Sequence, residues 1–79
     1  MKAINLKQII DQLNPNEKKY WKQHTSDSRL KKVFDYLNDQ EINQNEGKFE
    51  RKFDWFLRNN FEIKNISDYK NKIYESLME

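Results

Sequence analysis

The chain has no cysteine, so disulfides, thiolate nucleophiles and thiolate-ligated metals are excluded at the outset. A single histidine, His24, leaves too few nitrogen ligands for a zinc site of the usual kind. One glycine and one proline supply little of the turn chemistry that hairpins and sheets need. No apolar run approaches the roughly 18 residues of a membrane span. The opening MKAINLKQIIDQLN carries polar groups where a secretory signal requires an unbroken apolar segment. These absences together predict a cytoplasmic chain, unprocessed and complete as a small gene product, with no membrane association.

Charge of one sign is lacking as well. Fifteen basic residues stand against 13 acidic ones, a net charge of +2, which excludes a histone-like polycation or an acidic nucleic-acid mimic. Any electrostatic function must come from local sorting. Mean hydropathy is low at -1.22, yet 14% of the residues are aromatic, and disordered chains are poor in aromatics. At 79 residues the chain is expected to form one helical domain over residues 1–79 with a single core.

Apolar residues recur at helical spacing, which predicts an all-α fold: a compact bundle or orthogonal array of four to five short helices. Leu6, Ile9, Ile10 and Leu13 fall at i, i+3, i+4 and i+7 and predict a first helix over about 6–13, with Asn5 and Gln8 as a capping box. Asn14, Pro15 and Glu17 open a second, which turns Tyr20 and Trp21 inward. Its pattern fades at His24–Asp27, where Ser26 or Asp27 caps a third helix or the two run on as one. The third carries Leu30, Val33, Phe34 and Leu37 on one stripe and gives way to the polar stretch 38–45. A fourth, from about Glu46 to Asn59, aligns Phe49, Phe53, Phe56 and Leu57, and Asn59-Asn60 suits a left-handed helix end. Phe61, Ile63 and Ile66 then cross the core, and Ser67 caps a fifth helix bearing Tyr69, Ile73 and Leu77.

Signals for chemistry are few. His24 has no serine or acidic neighbour in a nucleophile pattern, so no catalytic residue and no enzyme activity is expected. Residues 39–50 set oxygen ligands at positions 1, 3, 5, 7 and 12 in the manner of an EF-hand loop. Gln44 stands where that loop needs glycine and Glu46 where it needs an apolar residue, so neither calcium nor any other metal or cofactor is expected. Trp55-Phe56-Leu57-Arg58-Asn59 resembles the third helix of a homeodomain over these residues alone. The homeodomain pattern implies Trp and Phe in the core and a basic tail; here Glu62 follows.

The fourth helix sorts into three faces at about 100° per residue. Beside the apolar stripe, Glu46, Glu50 and Asp54 form an acidic edge, while Lys48, Arg51, Lys52, Trp55, Arg58 and Asn59 gather on the remaining side. Arg29, Lys32 and Tyr36 repeat the arrangement in the third helix. Cations around an aromatic suit an anionic partner. The expected function is therefore non-enzymatic, stoichiometric binding to another protein with an acidic surface. Length and a composition rich in lysine, asparagine and isoleucine suggest an inhibitor or regulator of a host protein encoded by a phage or mobile element, an anti-defence factor for example. The alternative is a DNA-binding regulator that reads with helix 46–59. A homodimer formed through Trp55 and Tyr36 is an open expectation.

Overall fold

A computed structural model describes residues 2–41 and 45–78. Among them are five helices and no strand: α1 (Ala3–Gln12), α2 (Pro15–His24), α3 (Ser28–Asp39), α4 (Glu46–Asn60) and α5 (Ile66–Leu77). The all-α expectation holds. The radius of gyration, 11.9 Å, is close to the roughly 11.6 Å that a compact chain of this length should have.

The shortest strongly apolar helix, α1, is the hub. Ala3, Leu6 and Ile10 are fully buried, and α3, α4 and α5 all pack against α1. Leu30, Val33, Phe34 and Leu37 of α3 and Phe49, Phe53 and Leu57 of α4 are buried as their spacing predicts. Ile9, Leu13 and Phe56 are only partly covered. From the fifth helix, Tyr69, Ile73 and Leu77 complete the core, and Phe61 in the preceding link joins them. Trp21 anchors α2: its ring stacks on Phe34 at 4.6 Å, and its Nε1 donates to Ser76 O and Oγ, each at 3.2 Å.

Several local expectations are corrected. The first helix begins at Ala3, one turn before Leu6, and Asn5 caps nothing; Lys2 holds the cap position without a side-chain bond. The reason is tertiary: Glu50 Oε2 accepts from the Ala3 N–H at 2.6 Å, while Ala3 and Ile4 extend the buried stripe backwards. Tyr20 is 64% exposed because α2 offers only Trp21 to the core. Between the second and third helices the expected break is present, and Asp27, one of the two expected caps, starts α3 by accepting from Arg29 N. At the end of α4, no described residue takes a left-handed conformation; Asn59 and Asn60 instead donate to the Trp55 and Phe56 carbonyls at 2.8 and 2.9 Å. Asn65, not Ser67, caps α5, accepting from Asp68 N at 3.1 Å. The expected box of Asn14 and Glu17 with Pro15 at the first position is present as predicted.

Lys7 and Lys70 are buried although lysine usually is not. Lys7 Nζ reaches Asp11 Oδ1 at 2.8 Å and the Asn38 carbonyl in the last turn of α3 at 3.3 Å, where a cation also meets the negative end of the helix dipole. Lys70 pairs with Glu50 and, at 2.9 Å, with Asp54, and its Nζ lies 5.9 Å from the centre of the Phe53 ring. Since Glu50 also holds the Ala3 N–H, this cluster ties α5 and α4 to the start of α1.

The buried Tyr69 hydroxyl, by contrast, has no hydrogen-bond or ion-pair partner among the described residues. Desolvation of an unpaired hydroxyl costs about 1 to 3 kcal/mol. Tyr69→Phe is therefore expected to stabilise the fold by about 1 kcal/mol, seen as a higher urea midpoint at unchanged slope. A lower midpoint would show that the hydroxyl is satisfied in solution.

Candidate functional site: the exposed face of α4

Asn45 starts α4 by accepting from the Gly47 and Lys48 N–H groups at 2.9 and 3.3 Å. From there Phe49, Phe53 and Leu57 face α1, so the opposite side of the helix is turned to solvent. Lys48, Arg51, Lys52, Trp55, Arg58 and Asn59 are all exposed. Trp55 is 66% exposed. Its neighbours one turn away on the helix surface are Arg51, Lys52, Arg58 and Asn59, with Lys48 a further turn back. The strip from Lys48 to Asn59 is about 16 Å long at 1.5 Å per residue.

The charges on this helix are unequally satisfied. Burial acts to lower the Lys70 pKa, but hydrogen bonds to Glu50 and Asp54 and the charges of both carboxylates outweigh it and raise it above the usual 10.5. Glu50 and Asp54 thereby share one buried cation, which offsets one of their two charges. Lys48, Arg51, Lys52 and Arg58 make no ion pair among the described residues. The outward face of α4 is left as a cationic strip with an indole at its middle.

The α3 residues join this strip only in part. Tyr36 is half-buried, its ring stacked on Phe56 at 4.1 Å and lying 6.1 Å from Phe53. It links α3 to α4 more than it offers a free ring to a partner, and burial raises the pKa of its hydroxyl. Lys32 is exposed. Arg29 lies 3.7 Å from Asp27 and lines a shallow depression with Glu62, Asp68 and Tyr69, a different environment from that of Trp55.

Sequence reasoning missed Lys70, and with it the pairing of Glu50 and Asp54, two of the three residues of the acidic edge. The signal was present: Lys70, Ile73 and Leu77 share one helical stripe, so a cation there needs buried partners. The same cluster bears on the EF-hand comparison. Residues 42–44 lie outside the described residues, but Glu50, the twelfth position, is held by Lys70 and Ala3 N, and Asn45, the seventh, is spent on the α4 cap. Among the described residues, no group of three acidic, histidine or cysteine side chains is placed to hold a metal. His24 ends α2 with its ring 4.1 Å from that of Tyr20. The homeodomain resemblance stops at Trp55, which faces solvent where that pattern implies core.

Tyr69, like Tyr36 and Lys70, holds its proton more tightly in the folded chain: burial raises its pKa, Asp27 raises it further, and Arg29 opposes. A group whose folded pKa is raised contributes stability in full below its unfolded pKa and loses it as pH climbs through the folded value. Tyr and Lys titrate near 10 when unfolded, so stability should fall as pH rises beyond about 10. Lys70→Met should make that fall shallower, leaving the share of the two tyrosines. Urea midpoints that stay flat to about pH 11 would contradict the three raised values.

No family model matches the chain, and no curated protein or solved structure is significantly similar to it. It belongs to the all-α class. No helix among the described residues is long and apolar enough to cross a membrane.

Proposed function

We propose that the chain is a non-enzymatic interaction protein that binds another protein stoichiometrically through the outward face of α4. The partner presents an acidic surface with an apolar recess that takes the Trp55 indole. One observation carries this reading: a tryptophan 66% exposed at the centre of a helix face whose cations make no ion pair among the described residues. Leaving so large a ring in water forgoes burial, and tryptophan and arginine are the residues that dominate binding energy in protein interfaces. Cations at the rim steer an acidic partner and fix its register. A composition rich in lysine, asparagine and isoleucine, residues favoured by A/T-rich codons, supports a phage- or mobile-element-encoded inhibitor or regulator of a host protein, located in the cytoplasm, that acts by occupying a surface.

A DNA-binding regulator is the second reading, favoured by the run of Lys48, Arg51, Lys52 and Arg58 along one solvent-facing helix. Trp55 in the middle of that run would obstruct entry of α4 into a major groove, and the net charge of +2 gives little long-range attraction. A homodimer through the same face would compete with either partner. Affinity capture from host extract, with and without nuclease, separates the readings. A protein retained by wild type after nuclease treatment and lost from Trp55→Ala supports the first. Retention that nuclease abolishes supports DNA, and equal retention by the variant removes Trp55 from the binding surface.

A further inference from the structure

A second concavity lies on a different part of the molecule, between α2 and the C-terminal end of α5. Its volume is about 680 Å³, within the range of clefts that hold small ligands, roughly 300–1,000 Å³. One wall is aromatic. Tyr20 is exposed, its ring 4.1 Å from His24, and Trp21 reaches in from the core with its Nε1 fixed by Ser76. Leu13 and Leu77 add apolar surface.

Among the described residues lining this cleft, Glu17 is the only carboxylate, His24 is the only basic side chain, and there is no lysine or arginine. Three helices end at its edge: Leu13 and Thr25 are the residues that close α1 and α2, and Leu77 is the last of α5. Each helix C-terminus carries a partial negative charge from carbonyls that lack intrahelical partners. The positive end of α2 also borders the cleft, but the Asn14 and Glu17 side chains already cap it. Aromatic faces, a carboxylate and helix C-termini are each attractive to a cation, and aromatic faces also accept an apolar body.

We infer that this cleft binds a small organic cation, an ammonium or guanidinium group carried on an apolar body. The volume exceeds what one basic side chain of a docking protein would fill, which favours a free ligand. The site stands apart from the α4 face: no residue is shared between them, and neither reading depends on the other.

The probe is benzyltrimethylammonium, with benzyl alcohol as a neutral counterpart. Trp55→Phe, at an exposed position, leaves Trp21 as the sole indole and therefore as the fluorescence reporter. The cation should produce a saturable change in Trp21 emission and bind at least about tenfold tighter than the alcohol. Glu17→Gln keeps the capping box, because glutamine serves at that position, and should weaken the cation by about three- to tenfold while keeping a cooperative melt and the wild-type helical content. Three results overturn the inference: no saturable change in the millimolar range, equal affinity for the alcohol, or undiminished binding by Glu17→Gln with its fold intact.

Discussion

Phe53→Ala is expected to cost about 3 to 5 kcal/mol, enough to leave much of the protein unfolded near physiological temperature. Phe53 has no exposed surface, lies beside Tyr36 on one side, and has the Lys70 ammonium over its ring. Truncation removes the transfer energy of the ring and opens a cavity beneath the buried cation, which then loses its aromatic contact. A domain of this length holds only about 5 to 15 kcal/mol in total and sits towards the lower end, having no disulfide to add to it. Urea denaturation followed by far-UV circular dichroism measures the loss. A variant within about 1 kcal/mol of wild type would mean that α4 does not present this residue to α1, and the assignment of its outward face would fall too.

Trp55→Ala should behave in the opposite way. Its side chain touches solvent, so stability should stay within about 0.5 kcal/mol of wild type. Partner affinity should fall by about 2 kcal/mol, roughly 30-fold, as for a central aromatic anchor. Reversing charge at Arg51 and Arg58 should slow association most at low salt if the partner is an acidic protein. If the partner is DNA, the same changes should flatten the salt dependence by about one unit per lost phosphate contact. A Trp55→Ala variant that unfolds would place the ring in the core and move the search for a binding surface elsewhere.

The contrast between these two residues was legible in the sequence because α4 is amphipathic over its full length. Phe49, Phe53 and Leu57 repeat at four-residue spacing, and a ring two positions from Phe53 must point away from them. The Asn14-Pro15-Glu17 start of α2 was equally readable, since its partners are three residues apart. The beginning of α1 was not, because its first N–H is satisfied by Glu50, 47 residues away. Tyr20 misled for a related reason: α2 has one strong anchor, Trp21, and an adjacent aromatic looks like core until the packing partner, Phe34, selects a single ring. Lys7 and Lys70 read as solvent residues by type, although both lie on buried stripes. Whether Trp55 is covered depends on where the other helices lie, a question of tertiary arrangement that no periodicity encodes. The packing of α4 on α1 leaves it uncovered.

The central claim, that the outward face of α4 is the binding surface, is tested most directly by mapping a captured partner onto the ¹⁵N-labelled protein by NMR. Addition of that partner should perturb the Trp55 indole and the amides of residues 48–59 at a 1:1 ratio, and leave the cleft beside Tyr20 and Ser76 unchanged. Perturbations concentrated on α2 and α5 with α4 silent would contradict the claim.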